Sequence, residues 1–423
     1  MGERGRRTQQ RILTAALEVF DEVGYQSTRI DAITERAGCS RPTFYQYFAS
    51  KEALFNRLGG LVGASLVTLT EEFPTLHPGS SPPAELWLWV GSLVDLHTEW
   101  APAFAAFRPA LRGDPLLMAG AADLTRQYGK SLARSVPTGG ASGAGGEADP
   151  EIVAALAMTM LTGALSLRSA GAVGDQGADD PATVTDQLTA LVHAALVGRS
   201  QAGLVGRATD AERPTSSTQA GAGGEAGDAH ETNGATGGGE DEGLQLALQA
   251  AALVVFPRLG LEGTRVDDLV AEAGVAHGTF YRYFDGKAEL FEDVAGRAAT
   301  AMHNLLADLP LALAEGRVDG WTTDWFATYL DHGAILSVWT EAPRSEAGFS
   351  EGAAAAALDL LAPVIDDDGP VRAPAGVLGV LSLIEWSPYL VQQFEGFDLE
   401  PTRRAVAVIL DRLLARAAGG VAA

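Results

Sequence analysis

Residues 8–55 align without a gap on residues 244–291. Phe20 meets Phe256, Gly24 meets Gly260, Thr28 meets Thr264 and Asp31 meets Asp267. Ala37-Gly38 recurs as Ala273-Gly274, and Lys51 as Lys287. Thr43-Phe44-Tyr45 recurs as Thr279-Phe280-Tyr281, and Tyr47-Phe48 as Tyr283-Phe284. Chance rarely produces so many ungapped matches among Phe, Tyr and Gly, so the chain is expected to fold as two related units. Residues 199–240 separate the repeats; they are rich in Gly, Ala, Ser, Thr, Asp and Glu and lack the apolar content to pack. They are expected to act as a flexible linker with a span of roughly 35–40 Å. A second Gly-rich stretch, 136–149, is expected to be a loop between helices.

Each repeat reads as short helices. Ile12, Ala16, Val19, Phe20 and Val23 fall on one helical face, with Gly24 as the stop. Leu248, Ala252, Val255, Phe256, Leu259 and Gly260 repeat that pattern. Thr28-Arg29-Ile30-Asp31 has capping-box form with Asp in place of Glu, so a second helix is expected from Thr28. Thr264-Arg265-Val266-Asp267 repeats it. Gly38-Cys39 makes a turn, and Ser40 can cap a third helix through Phe48. A fourth helix opens at Ser50-Lys51. Two helices joined by a short Gly-containing turn describe a helix-turn-helix.

On the third helix, Phe44 and Phe48 lie four residues apart and can face a core together. Arg41, Thr43, Tyr45, Gln46 and Tyr47 are left to point outward or sideways. An arginine there can pair bidentately with guanine edges, and Thr and Tyr hydroxyls suit phosphate oxygens. Lys51 adds charge at a helix start whose free N–H groups favour an anion. The formal net charge of −24 argues against a uniformly basic nucleic-acid binder. Residues 1–58, however, hold nine Arg/Lys against seven Asp/Glu, so the acidity lies elsewhere.

The run from Ala37 to Phe55, with Thr43-Phe44-Tyr45, Tyr47-Phe48 and Lys51 at its centre, resembles the recognition-helix signature of the TetR family of bacterial regulators, and Ala273–Phe291 resembles it too. The resemblance covers about fifty residues per half. It implies an all-α fold of two tandem units. Each has an N-terminal three-helix helix-turn-helix domain and a helical ligand-binding and dimerisation domain. The corresponding bounds are 1–58, 59–198, 241–294 and 295–418. It implies base or groove contacts from Arg41, Pro42 and Tyr45, and phosphate contacts from Thr28, Thr43, Tyr47 and Lys51. Ser40 and Gln46 complete the first DNA-facing set. Thr264, His277, Thr279, Tyr281, Arg282, Tyr283 and Lys287 form the second. The implied function is a transcription regulator, usually a repressor, that binds a double-stranded DNA operator and answers to a small-molecule effector. The family usually pairs two helix-turn-helix units in a homodimer; here one chain holds both, so an intramolecular pseudo-dimer is expected, with a homodimer of chains as the alternative.

The second repeat departs from the first. Residues 240–297 hold five Arg/Lys against eleven Asp/Glu. Glu240-Asp241-Glu242 stands where the first repeat has a basic arm, and His277-Gly278 replaces Arg41-Pro42. Ala276 replaces the capping Ser40, a loss of roughly 1 kcal/mol. The first repeat is therefore expected to carry more of the affinity, on an asymmetric operator. A helical protein-interaction module that no longer binds DNA through one or both repeats is the alternative reading.

All seven Trp lie outside the repeats. Core filling is the plainer reading; the sharper one is an apolar effector pocket drawing on Trp89, His97, Trp100, Phe104, Trp321, Trp325 and Trp339. The apolar stretches 151–168, 182–198, 374–395 and 401–417 are expected to pack together within the chain. The Gly-rich stretches do not follow strands, no metal-ligand spacing occurs, and no nucleophile elbow is present, so neither enzyme activity nor a cofactor is expected. The lone Cys39 fits a reducing cytoplasm and a small turn position. No run of eighteen apolar residues suggests a membrane span.

Overall fold

The computed structural model describes residues 2–111, 114–136, 142–143, 146–169, 180–198, 238–333, 335, 338, 359–361, 369, 371 and 373–414. The expected linker 199–240 lies outside these but for its last three residues, and half of the 136–149 stretch lies outside them too. The fold is all-α; a two-residue antiparallel pairing of Ser142–Gly143 with Gly146–Glu147 is the one ladder among the described residues.

In the first unit, α1 (Glu3–Ser27) buries Ile12, Leu13, Ala16, Val19 and Phe20. Gly24 breaks it with φ 75°, a backbone region that favours glycine. Val23 is 51% exposed, contrary to the expected face. Gly24 redirects the chain, and Tyr25 fills the inner position instead, edge-on to Phe20 and Phe55. α2 (Ile30–Arg36) and α3 (Arg41–Tyr47) follow, then the long α4 (Lys51–Glu71). Ile33, Phe44, Phe48, Leu54 and Phe55 close one small core, which Ala106 and Ala110 of α6 (Ala101–Leu111) complete. α5 (Ala84–Glu99), α7 (Pro115–Ala133), α8 (Pro150–Ser169) and α9 (Pro181–Val197) finish this half.

The second half repeats the opening. α10 (Gly238–Gly263) breaks at Gly260 with φ 72°, and α11 (Val266–Ala273), α12 (His277–Phe280) and α13 (Lys287–Ala314) follow. Leu259 is 40% exposed, as Val23 is, and Leu261 packs in its place. α14 (Val318–Thr328) runs on into a π-helical turn, Tyr329–Gly333. α15 (Ala373–Gln393) and α16 (Leu399–Leu414) end the described chain.

A single large core joins the halves: α8 and α9 pack on α15 and α16. Hydrogen bonds cross between them. Gln187 Oε1 accepts from Ala375 N at 3.3 Å, and Ser382 Oγ donates to Thr159 O at 3.4 Å. Arg412 Nη1 donates to Ala195 O at 2.7 Å and Leu196 O at 2.8 Å, while Arg126 reaches the Glu395 carbonyl. Four helices, within 51–71, 150–169, 243–261 and 374–393, are long and apolar enough to cross a membrane by length and composition. For α8 and α15 that apolarity has a cause within the protein, since each is mostly buried in the joint core.

The close approach of α8 and α15 needs small residues. A Cβ at Gly163 would overlap Ser382 Oγ and come within 2.7 Å of its Cβ, and one at Gly379 would overlap the Leu191 side chain. Gly163→Val is therefore expected to destabilise the chain by about 1–3 kcal/mol through overpacking. Urea denaturation followed by tryptophan emission measures it, and an unchanged midpoint would show that the two helices do not meet there.

Candidate nucleic-acid interface

α3 is held by its caps. Ser40 Oγ accepts from Thr43 N at 3.3 Å and shares a 2.9 Å bond with Thr43 Oγ1, and Pro42 sits in the first turn without needing an N–H partner. Phe44 and Phe48 point into the small core, their centroids 5.8 Å apart. That leaves Ser40, Arg41, Pro42, Tyr45 and Gln46 exposed, with Thr43 and Tyr47 half-buried. Tyr45 is 49% exposed and stands edge-on to Phe44. Arg41 Nε lies 3.2 Å from Asp31 Oδ1 at the start of α2, with both side chains more than half exposed. Such a pair contributes little energy and can exchange for another anion.

Two residues expected at phosphates turn inward. Thr28 is buried and its hydroxyl donates to Gly24 O at 2.7 Å. It is not the cap of α2, which begins at Ile30 with Arg29 as its N-cap, so the expected capping box does not form. Lys51 Nζ donates to Tyr25 O at 2.8 Å and to Gln26 O and Thr28 O at 3.3 Å, and lies 4.5 Å from the Tyr25 ring centroid. Its three donors are engaged by carbonyls at the end of α1, and burial lowers its pKa. Thr264 and Lys287 repeat this arrangement: Thr264 donates to Gly260 O at 2.7 Å, and Lys287 Nζ to Leu261 O and Thr264 O at 2.9 Å. Both pairs thus tie the first helix of a unit to its fourth. The repeat in sequence coincides with a repeated structural clamp.

The second unit's counterpart of α3 differs in length. α12 spans four residues where α3 spans seven. Ala276 supplies no side-chain cap, and Gly278 replaces the proline that fixes φ in α3. His277, Tyr281 and Arg282 are exposed, Thr279 and Tyr283 half-buried. His277 Nε2 lies 3.3 Å from Asp267 Oδ1, the counterpart of the Arg41–Asp31 pair, and the Arg282 guanidinium lies over the Tyr283 ring at 5.5 Å. The Glu289 carboxylate accepts from Asp285 N at 2.5 Å; the first unit has Ala53 and Ala49 there, so two acids flank the second reading helix. Arg11, which in the first unit donates to Ala37 O at 2.7 Å and Gly38 O at 3.1 Å, is replaced by Ala247.

A cavity of about 140 Å³ lies below the first unit, between α4, α6, α7 and α8. Phe55, Phe104, Phe107 and Tyr128 line it from the first half; Trp386, Leu390 and Phe394 line it from the second. Of the expected pocket residues that are described, only Phe104 is in the wall. His97 stands behind it, stacked on Phe104 at 4.3 Å and bonded through Nε2 to Ser166 Oγ at 3.0 Å. Burial, helped by the charge of Arg168, lowers its pKa to about 4, so the ring is neutral at pH 7. Trp89, Trp321 and Trp325 are core residues whose indoles donate to Leu69 O, Leu305 O and Ile384 O at 2.7–2.8 Å. Trp100 is half-buried against the core, and Trp339 lies outside the described residues. Trp386, which is not in the expected set, reaches the cavity from α15 of the second half.

The family described as "Bacterial regulatory proteins, tetR family" matches this chain at residues 12–58 and again at 248–294, so the chain carries that unit twice. The HTH-type transcriptional regulator YdgC of Bacillus subtilis is 38% identical over 58 residues, which are 14% of this chain and 30% of that protein. RutR of Escherichia coli, another HTH-type transcriptional regulator, is 48% identical over 44 residues, 10% of this chain and 21% of its own. The HTH-type transcriptional activator FasR of Mycolicibacterium smegmatis is 48% identical over 44 residues, 10% and 20% of the two chains. The chain thus spans less than a third of the length of these relatives. Among solved structures, a transcriptional regulator of Aquifex aeolicus overlaps 43% of this chain and 95% of its own at 20% identity and TM-score 0.32. The fatty acid degradation regulator FadR of Bacillus halodurans overlaps 46% and 96% at 15% identity and TM-score 0.33.

Lys51→Met is expected to cost about 1.5–3 kcal/mol of stability, the range for hydrogen bonds to a charged group. The same variant should leave the salt dependence of DNA binding unchanged, whereas a lost phosphate contact would flatten its slope by about 0.9. Chemical denaturation and binding titrations across salt concentrations read the two effects. Ala276→Ser is expected to stabilise the second unit by about 1 kcal/mol and slow amide exchange over residues 279–282.

Proposed function

We propose that this chain, with its two tetR-type units, is a DNA-binding transcription regulator of the cytoplasm whose reading surface is α3. The carrying observation is the division of that helix: Phe44 and Phe48 buried, Arg41, Pro42, Tyr45 and Gln46 exposed. An exposed arginine and tyrosine on a short capped helix match major-groove readout, with Thr43 and Tyr47 at the phosphates. Thr28 and Lys51 serve the site by holding α1 against α4.

In this reading residues 1–58 and 241–294 are the reading domains, 59–198 and 295–418 the effector and dimerisation domains, and 199–240 the linker. The packing of α8 and α9 on α15 and α16 favours an intramolecular pseudo-dimer. The first unit carries most of the base readout. The second, with a four-residue α12 and two flanking acids, adds fewer contacts, so the operator is asymmetric. The chain acts as a repressor, and an effector in the cavity under α4 alters its grip on DNA.

Footprinting on the DNA upstream of its own gene tests this directly. Protection should fall steeply with salt. Arg41→Ala should lose about 1–3 kcal/mol of affinity and relax base preference at one position. An equal loss on all DNA sequences would overturn direct readout by α3.

A further inference from the structure

The cavity below α4 has a chemistry that selects what can enter it. Among its lining residues none carries a charge. Its polar side-chain groups are the Trp386 indole N–H and a set of hydroxyls, most of which have given their protons to the helices that bear them. Thr125 donates to Ala121 O at 2.8 Å, Thr159 to Ala155 O at 3.0 Å, Thr162 to Met158 O at 3.1 Å and Ser166 to Thr162 O at 2.9 Å. Tyr128 is the exception: its side chain is 7% exposed and its hydroxyl makes no hydrogen bond among the described residues. The walls are aromatic on both sides, Phe55, Phe104 and Phe107 facing Trp386 and Phe394.

On the reading that this cavity is the effector site, we infer that the effector is an uncharged, mainly apolar molecule about the size of one ring, oriented by a single hydrogen bond to Tyr128 Oη. A carboxylate or phosphate would enter an apolar site without a counter-charge, at a cost that its binding cannot recover. His97, stacked on Phe104 and bonded to Ser166, is neutral at pH 7, and Arg168, whose charge helps to lower the His97 pKa, is not among the lining residues. Size follows from volume. An apolar cavity of roughly 150 Å³ takes benzene, and this one is of about 140 Å³. Aromatic walls offer a planar guest stacked or edge-on contacts from both halves.

Calorimetric titration of the full chain with toluene, benzyl alcohol and benzoate at neutral pH tests the inference. Benzyl alcohol should bind most tightly, toluene more weakly, and benzoate about a hundredfold more weakly than the alcohol. Tyr128→Phe should lower affinity for benzyl alcohol about tenfold while leaving toluene within about twofold, a difference that general loosening of the site would not produce. Benzoate binding as well as the alcohol, Tyr128→Phe acting equally on both neutral compounds or on neither, or no binding of either neutral compound, would each overturn the assignment. The underlying reading has its own control. Gly63 and Leu124 both line the cavity, and a Cβ at Gly63 would meet Leu124 at 3.2 Å, so Gly63→Leu adds bulk to the cavity wall. Any compound, charged or not, that releases DNA from the native chain but not from Gly63→Leu upholds the cavity as the effector site. Equal release from both overturns that reading.

Discussion

The contact between α8 and α15 decides how the rest of the molecule is arranged. Gly163 and Ser382 let the helices meet at a distance that larger side chains would forbid, and Gly379 makes room for Leu191 beside them. Because the helices come this close, α9 and α16 can pack on the same core, and the buried Gln187 and half-buried Arg412 find main-chain partners across it. The continuation of α15 then brings Trp386, Leu390 and Phe394 over the cavity of the first half. That cavity belongs to neither half alone: its floor is one repeat's helices and its cover is the other's.

The two reading units show how little sequence change is needed to weaken a helix that has no core of its own. α3 and α12 each bury one phenylalanine fully, and each is followed by a second in the core. The difference lies in the backbone's support. Ser40 satisfies an orphan N–H and Pro42 restricts the unfolded chain; Ala276 and Gly278 do neither. Arg11 ties α1 to the turn before α3 through two carbonyls, and Ala247 cannot. A loss of a cap, a proline and an anchor fits a helix shortened to one turn.

Local pattern was legible in the sequence where one element carried both cause and effect. The inward phenylalanines, the Ser40 cap and the glycine breaks at Gly24 and Gly260 follow from spacing within a few residues. What spacing does not reveal is the target of a long, flexible side chain. The spacing around Lys51 gives no sign that the end of α1, far from it in sequence, presents three carbonyls to its ammonium. Thr28 misled for a similar reason, since a threonine before a helix can bond forward as a cap or back to the preceding turn, and here it bonds back. The pocket was hardest to read. Three of the tryptophans that suggested it spend their indole N–H groups on main-chain carbonyls of the core, and its cover comes from residues more than two hundred positions away.

Phe55 is where the cavity and the reading unit touch. It lines the cavity, and its ring packs against Tyr25 at 5.1 Å and Phe20 at 6.0 Å inside the small core. Tyr25 in turn offers the carbonyl and the ring that hold Lys51, so α1, α4 and the turn before α2 share one packed cluster. A guest that displaces Phe55 must shift that cluster, and α3 is anchored to it through Phe44 and Phe48. Close-packed interiors pass on such displacements because they cannot absorb them. Trp386 lines the same cavity from the second half, so a guest there would touch both halves of the chain as well as the helix that carries Phe55.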